Sequence, residues 1–238
     1  MKATPTALPS AVLFDWDNTL VDSWGCIHAS LTVTFEAMGV PPWTEAETRA
    51  RARRSLRDSF PALFGDRWPE ARTIYFDHYA SHHLERLRPL PGAEALLDAL
   101  RDYGTYLAVV SNKTGHFLRS EAEALGWTGY FSRLVGAADA ETDKPALAPV
   151  ALALAPAGLT VEAFSTTGGW FIGDADVDME CAHKAGCVPV LVGDAADCDF
   201  GPYPPAFRFD TCLSLHDLVR RLGDTISVPT SRNASLQV

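Results

Sequence analysis

Short apolar runs that alternate with helical patterns extend through most of this 238-residue chain. Helical patterns occupy residues 114–125, 146–154 and 177–185, and a further one begins near Ala93 and ends at Gly104. Buried strands that alternate with helices are typical of a parallel sheet, because parallel neighbours require a crossover connection. The sequence therefore predicts an α/β fold with a parallel sheet. The apolar runs are residues 11–14, 106–110, 133–137, 170–172 and 188–192, with a weaker candidate at 207–209.

The segment between residues 22 and 88 breaks this alternation. It contains three amphipathic helical patterns, at residues 24–38, 44–56 and 70–87, and no convincing strand. We therefore expect a helical cap inserted after the first strand. The predicted division is a core formed by residues 10–21 and 89–222, a helical cap at 22–88, and flexible tails at 1–9 and 223–238.

Polar side chains follow four of the apolar runs. The carboxyl ends of parallel strands line one edge of a sheet, so we expect these side chains to meet there. They are Asp15, Asp17, Asn18 and Thr19 after the first run, Ser111 and Asn112 after the second, Lys144 beyond the third, and Asp174, Asp176 and Asp178 after the fourth.

Together these groups are suited to phosphoryl transfer with a divalent metal. Oxygen ligands from Asp15 and Asp174, completed by a backbone carbonyl and waters, suit Mg²⁺. A carboxylate can attack phosphorus, so Asp15 is the predicted nucleophile. Asp17 is two residues further on, and in an extended chain its side chain points the same way from roughly 6–7 Å away. We predict that Asp17 gives a proton to the leaving oxygen and takes one from the attacking water, with a raised pKa.

The same residues, in the same order, resemble the four motifs of the haloacid dehalogenase superfamily of phosphohydrolases. The first motif is Asp-x-Asp-x-Thr after a strand, and the second is a strand that ends in Ser or Thr. The third is a lysine ahead of a helix, often before proline, and the fourth is Gly-Asp with a second aspartate four residues after the first. The matches are Asp15, Asp17 and Thr19, then Ser111, then Lys144 with Pro145, and finally Asp174 with Asp178.

The resemblance implies a Rossmann-like three-layer core, a small helical cap and a Mg²⁺-dependent aspartyl-phosphate mechanism. It also implies a role for each matched residue. The implied metal ligands are Asp15, Asp17 through its carbonyl, Asp174 and Asp178. The implied catalytic residues are Asp15, Asp17 and Lys144. The implied phosphate-binding residues are Ser111, Asn112 and Thr19, and Thr19 also positions the Asp17 loop.

Within the superfamily the chain resembles the phosphoglycolate-phosphatase-like enzymes, whose first motif also continues into Leu-Val-Asp-Ser. Two positions differ from the common pattern. Asn18 replaces a frequent glycine, and asparagine tolerates the left-handed conformation of that turn. Ala175 lacks the hydroxyl group that the subgroup often has after Asp174. Asp176 is an alternative metal ligand, although Asp178 has the family's spacing.

Each motif taken alone also has a purely structural explanation. The stretch DWDNT is compatible with an Asx-type turn, SNKT with a helix N-cap, and Lys144 with a solvated lysine. The presence of all four motifs in order at predicted strand ends favours the functional interpretation.

Five arginines lie between residues 49 and 57 of the predicted cap. One interpretation is a solvated helix face paired with Glu45, Glu47 and Asp58. The other is that Arg54 or Arg57 leans over the active site and binds a second anionic group of the substrate. Arg57 is the predicted substrate contact.

Composition limits the classes of partner. A net charge of −10 and a pI near 5.1 argue against binding to nucleic acid or to an anionic membrane. No apolar run is long enough to span a bilayer, and the five cysteines form no CxxC pair. The predicted location is therefore the cytoplasm and the predicted partner is a small phosphorylated metabolite, while the oligomeric state stays open.

The predicted activity is that of a Mg²⁺-dependent phosphatase, and three alternatives are considered. A dehalogenase typically lacks the second aspartate of the first motif. A phosphomutase of the β-phosphoglucomutase type shares all four motifs but tends to have valine in place of Thr19. A non-catalytic binding protein would not need the complete set of Asp15, Asp17, Lys144 and Asp174.

Overall fold

The computed structural model describes residues 5–196 and 198–226 of the chain. Each of the six predicted runs forms a strand, and two further short strands flank the cap. In chain order the strands are β1 (Ala11–Phe14), β2 (Val21–Asp22), β3 (Arg88–Pro89), β4 (Tyr106–Thr114), β5 (Arg133–Ala137), β6 (Trp170–Gly173), β7 (Val188–Val192) and β8 (Phe207–Phe209).

Six of these strands form one parallel sheet, in the order β5-β4-β1-β6-β7-β8. The central strand β1 pairs Phe14 with Val109 of β4 and with Ile172 of β6. Because these paired residues lie at the same position along neighbouring parallel strands, the polar residues that follow them reach the same edge of the sheet.

Helices cover both faces of the sheet. Val12 and Phe14 of β1 point to the face covered by the fifth and tenth helices, and Ala11 and Leu13 to the face covered by the seventh to ninth. All four residues of β1 are 0% exposed, as expected for a strand in the middle of a three-layer core. Within the described residues, no helix is both long and apolar enough to cross a membrane. The helices are α1 (Trp24–Met38), α2 (Glu45–Arg51), α3 (Leu56–Phe64), α4 (Trp68–Arg86), α5 (Ala93–Asp102), α6 (Gly115–Ala124), α7 (Ala148–Leu154), α8 (Val161–Thr166), α9 (Asp176–Ala185) and α10 (Cys212–Ile226).

Helices α1 to α4 form the cap that is inserted between β1 and β4, as the sequence predicted. Aromatic side chains fill its interior, among them Phe35, Phe60 and Tyr75. The strands β2 and β3 are antiparallel neighbours, with Val21 opposite Pro89. The chain therefore enters and leaves the cap at the same place.

The predicted second cap helix ends too late, and the prediction missed a further helix. The sequence predicts a helix over residues 44–56, but α2 ends at Arg51, and α3 lies almost wholly beyond the predicted range. Pro61 lies inside α3, where it removes one helical hydrogen bond. Burial of Phe60 in the cap interior offsets this cost and keeps the helix intact.

The core extends further at both ends than predicted. Pro5 and Pro9 precede β1 and are buried, and the Pro9 carbonyl accepts a hydrogen bond from the Thr105 hydroxyl at 3.2 Å. Helix α10 continues to Ile226, past the predicted boundary at residue 222. The rest of the predicted tails, residues 1–4 and 227–238, lies outside the described residues.

Candidate active site

Three carboxylates and one lysine meet at the carboxyl edge of the sheet. One carboxylate oxygen from each of Asp15, Asp174 and Asp178 lies within 4.8 Å of the other two. The Nζ of Lys144 donates to Asp15 Oδ1 at 2.6 Å and to Asp178 Oδ1 at 2.7 Å. Lys144 and Asp178 are buried, so little water screens these ion pairs. The structure thus brings together residues from the first, third and fourth motifs.

The backbone fixes two of these carboxylates. The N–H of Asp15 donates to the Ile172 carbonyl at 2.8 Å, which extends the pairing of β1 with β6 by one residue. Asp178 lies in the first turn of α9, where its Oδ2 accepts the N–H of Ala175 at 3.0 Å. A Cβ at Gly173 would overlap the Asp178 side chain, which explains the glycine of the fourth motif.

The carboxylate cluster carries more negative charge than Lys144 balances. Burial, followed by the charges of Asp178 and Asp15, raises the pKa of Asp174 well above its ordinary value. Burial also raises the pKa of Asp178 to about 6, against the opposing effect of Lys144. Burial alone would lower the pKa of Lys144, but Asp15 and Asp178 outweigh it and hold that pKa above its ordinary value. A divalent cation would relieve the excess negative charge, and an all-oxygen donor set suits Mg²⁺.

Asp17 faces a different cation. Its Oδ1 lies 2.7 Å from the Nζ of Lys113, which also lies 2.7 Å from Glu121 Oε2. Burial raises the pKa of Asp17, with Lys113 opposing this effect and Glu121 adding to it. The pKa shift has the direction that the sequence predicted, and burial is its main cause.

A buried group of five residues, here called the Lys113 cluster, connects Asp17 to the cap. It consists of Trp16, Tyr79, His83, Lys113 and Glu121. Besides Lys113, Glu121 accepts hydrogen bonds from Trp16 Nε1 at 2.7 Å, Tyr79 OH at 3.0 Å and His83 Nδ1 at 2.8 Å. Sequence analysis missed this cluster. Lys113 gave a weak signal as a lysine in SNKT, whereas Tyr79, His83 and Glu121 gave none, because only tertiary packing brings them together.

The predicted phosphate-binding residues occupy two kinds of position. Ser111 and Asn112 lie in the extension of β4 and line the cavity above the carboxylates. The Asn112 side-chain amide donates to two backbone carbonyls, one in the cap at 3.1 Å and one in the core at 3.3 Å. Thr19 is fully buried, is not among the cavity-lining residues, and donates to Asp174 Oδ1 at 3.4 Å. It therefore orients a carboxylate instead of facing the cavity.

Arg57 and Arg54 of the cap differ in their contacts. The Arg57 Nη2 lies 2.7 Å from Asp143 Oδ1, and its Nε donates to Asp143 Oδ2 at 3.1 Å. This contact joins the cap to the loop that carries Lys144, and Arg57 is not among the residues that line the cavity. Arg54 does line the cavity and makes no hydrogen bond or ion pair with another described residue. Of the two arginines that the sequence singled out, Arg54 lines the cavity and Arg57 does not.

The turn after Asp17 forms with asparagine in place of glycine, as expected. Asn18 has a φ of 59°, in the left-handed region. Its N–H donates to the Val21 carbonyl at 2.7 Å, and its Oδ1 accepts the N–H of Ser23 at 3.2 Å. These bonds hold the point where the chain leaves the core for the cap.

A cavity that is open to solvent lies between cap and core. The core side of this cavity is polar, with the aspartates and lysines already described. The cap side is mostly apolar, apart from its arginines and Ser59. Such a cavity can hold a charged reacting group on one side and the body of a ligand on the other. The apolar side chains of α1 to α3 on the cap side are Trp24, Ile27, Leu31, Leu56, Phe60 and Leu63.

Comparison with known proteins identifies relatives of this chain. Residues 12–192 match the family model of the haloacid dehalogenase-like hydrolases. A phosphoglycolate phosphatase of Aquifex aeolicus is 29% identical over 188 residues, which cover 76% of this chain and 83% of the relative. A phosphoglycolate phosphatase of Xylella fastidiosa is 28% identical over 224 residues, covering 92% of this chain and 95% of the relative.

Comparison with solved structures also identifies a haloacid dehalogenase-like hydrolase. A haloacid dehalogenase-like family hydrolase from Streptococcus pneumoniae superposes with a TM-score of 0.74 at 26% identity, over 88% of this chain and 98% of the other. This match confirms the predicted α/β fold. The chain, with its acidic cluster at the carboxyl edge of a parallel sheet, therefore belongs to the haloacid dehalogenase-like hydrolase family.

Proposed function

We propose that this protein is a Mg²⁺-dependent phosphatase that hydrolyses a small phosphorylated metabolite through an aspartyl-phosphate on Asp15. The enzyme class agrees with the phosphatases among its relatives. The observation that carries the mechanism is the arrangement of Asp15, which faces the cavity, contacts Lys144 at 2.6 Å and lies beside Asp174 and Asp178.

The proposed metal ligands are Asp15, Asp174, Asp178 and the carbonyl oxygen of Asp17. The crowding of three carboxylate oxygens within 4.8 Å supports this assignment, because the excess charge favours a divalent cation. When bound, Mg²⁺ neutralises charge on the phosphoryl oxygens and reduces repulsion between them and the nucleophile.

The residues of the chain have distinct proposed roles in the reaction. The Asp15 carboxylate attacks phosphorus while Lys144 fixes its orientation and offsets negative charge. Ser111 Oγ accepts the N–H of Lys113 at 3.2 Å, so its own proton remains available to a phosphoryl oxygen. Asp17 gives its proton to the leaving oxygen and later takes one from the water that hydrolyses the aspartyl-phosphate.

The position of Arg54 in the cavity lining supports a substrate with a second anionic group. Arg54 supplies a guanidinium with no partner among the described residues, and it lines the same cavity as Asp15. Phosphoglycolate, which the relatives are named for, carries such a group as its carboxylate. The apolar cap surface also leaves room for a larger ester, so substrates of several sizes should be compared.

Hydrolysis of p-nitrophenyl phosphate tests the proposed chemistry. The wild-type protein should release p-nitrophenolate with Mg²⁺ and not with EDTA, and Asp15→Asn should abolish this activity. Equal rates for wild type and Asp15→Asn would refute a phosphatase centred on Asp15 and favour a binding protein. A panel of phosphoglycolate, sugar phosphates and nucleoside monophosphates would then rank substrates, and formation of an isomeric sugar phosphate would favour a mutase.

A further inference from the structure

We propose that Lys113 is a positioning residue for the acid-base group Asp17, and that the Lys113 cluster makes this positioning depend on the docked cap. This inference rests on the proposed function, in which Asp17 protonates the leaving oxygen. Lys113 itself does not touch the reacting phosphoryl group in this proposal.

The contacts of Lys113 account for its effect on Asp17. Its Nζ lies 2.7 Å from Asp17 Oδ1 and donates to Glu121 Oε1 at 2.8 Å and Oε2 at 2.7 Å. The Lys113 side chain is 4% exposed, so solvent offers it few other partners. Lys113 forms the one ion pair of Asp17 found within the described part of the chain. This ion pair therefore restrains the Asp17 carboxylate beside the cavity.

Glu121 is the anchor of this arrangement. It is 1% exposed, and donors from three side chains besides Lys113 satisfy both of its oxygens. One of these donors is Trp16, the residue between Asp15 and Asp17, so the same strand end contributes to the anchor and to the site. A carboxylate fixed in this way gives Lys113 a defined position from which to hold Asp17.

The cap completes the cluster. Tyr79 and His83 belong to α4, and both donate to Glu121 Oε1, while the Tyr79 hydroxyl also accepts a hydrogen bond from Lys113. Their rings pack on Phe117 of α6 in the core, at centroid distances of 5.0 Å. Displacement of α4 would remove two donors from Glu121 and one acceptor from Lys113. The placement of Asp17 is thus linked to the position of the cap over the substrate.

Leaving-group chemistry distinguishes this role from a purely structural one. When the Asp15 oxygen bonds to phosphorus, the bond from phosphorus to the leaving oxygen breaks and the proton of Asp17 moves to that oxygen. An alkoxide needs this proton, whereas p-nitrophenolate leaves readily without it. Misplacing Asp17 should therefore slow alkyl ester cleavage selectively.

The test is kcat/KM of Lys113→Met with butyl phosphate and with p-nitrophenyl phosphate, both with saturating Mg²⁺. This parameter reports the steps up to release of the leaving group, so the later hydrolysis of the aspartyl-phosphate does not mask the effect. We expect a fall of roughly 10- to 100-fold for butyl phosphate and less than about threefold for p-nitrophenyl phosphate. Equal losses for the two esters, or no loss, would overturn the proposal.

Three further variants keep the test decisive. Lys184→Met removes a surface lysine paired with Glu180 and should change neither ester. If Lys113→Met does not fold, Tyr79→Phe decides by the same ratio, with a selective loss of roughly two- to tenfold expected from one hydrogen-bonding group. Asp17→Asn should show the selective loss most strongly. If Asp17→Asn shows it and the cluster variants do not, only the positioning role falls; if Asp17→Asn lacks it, the acid role fails and the inference with it.

Discussion

Replacing Lys144 with methionine should destabilise the metal-free protein strongly. Methionine fills a similar volume but removes the charge that lies between Asp15 and Asp178. The lysine side chain is 2% exposed, so water cannot replace the lost contacts without opening the site. Two buried carboxylates would then remain beside Asp174 with no cation.

The size of the effect follows from the two short ion pairs. At the observed separations of 2.6 and 2.7 Å, each pair has a Coulomb energy of roughly 6 kcal/mol at an effective dielectric constant of about 20. The cost of removing the charges from water cancels much of this Coulomb energy. Breaking a buried pair by removing one partner typically costs about 3–5 kcal/mol. In a chain of this size 1 kcal/mol corresponds to about 2–4 °C, so Tm should fall by roughly 6–20 °C.

The loss should shrink as the pH falls. A carboxylate whose folded-state pKa is raised binds a proton in the folded state before the unfolded one, so acidification favours folding. The pKa of Asp178 is already about 6, and that of Asp174 is also raised; without Lys144, which lowers both, these values should rise further. Between pH 7.5 and 5.5, the free energy of unfolding of the variant should rise relative to that of wild type. The expected rise is about 1.4 kcal/mol per pH unit for each additional proton that the folded variant binds.

Thermal and urea unfolding in EDTA at pH 7.5 and 5.5 would measure both effects. Lys184→Met is the control, because its ion pair with Glu180 is exposed and should contribute less than about 1 kcal/mol. A loss below about 1 kcal/mol for Lys144→Met at pH 7.5, or a deficit that grows on acidification, would refute the buried-pair argument.

Three other outcomes are expected. Arg54→Ala should raise KM for phosphoglycolate about tenfold more than KM for p-nitrophenyl phosphate, whereas Arg57→Ala should affect the two esters equally; steady-state kinetics would show a shared effect if Arg54 does not contact the second anionic group. Mg²⁺ affinity should weaken at least about tenfold per pH unit below about 6, because binding displaces the Asp178 proton and the pKa of Asp174 is also raised; calorimetry at pH 5, 6 and 7.5 would contradict this if no proton is released. Gly173→Ala should lower Mg²⁺ affinity roughly 10-fold or more by displacing the Asp178 side chain, while Gly25→Ala, with open space at its Cβ, should not.

The sheet and its polar carboxyl edge could be predicted because the signal is local. The run Ala11–Phe14 is apolar throughout, since both faces of β1 are covered, and it ends at once in Asp15. The cap was harder to divide into helices. Packing of Phe60 in the cap interior keeps α3 helical across Pro61, and no nearby residue signals that packing.

The same distinction applies to the candidate site. Asp174 follows β6 directly, and Lys144 follows β5 after a short loop, so chain order indicated that they would meet. The Lys113 cluster depends on how α4 docks on α6, and sequence spacing does not report that contact. For the same reason the sequence could not separate Arg54, which faces the cavity, from Arg57, which is bound to Asp143.

The pairing of β2 with β3 has a consequence for protein engineering. Because Asp22 and Arg88 are direct neighbours, a turn of a few residues would close the chain across the gap left by removing the cap. The backbone geometry thus permits replacement of the cap. The buried contacts of Glu121 restrict this replacement, because a transplanted cap would have to present two hydrogen-bond donors to Glu121 where Tyr79 and His83 now lie. Cap exchange between members of this family should therefore succeed when that pair of donors is transferred along with the helices.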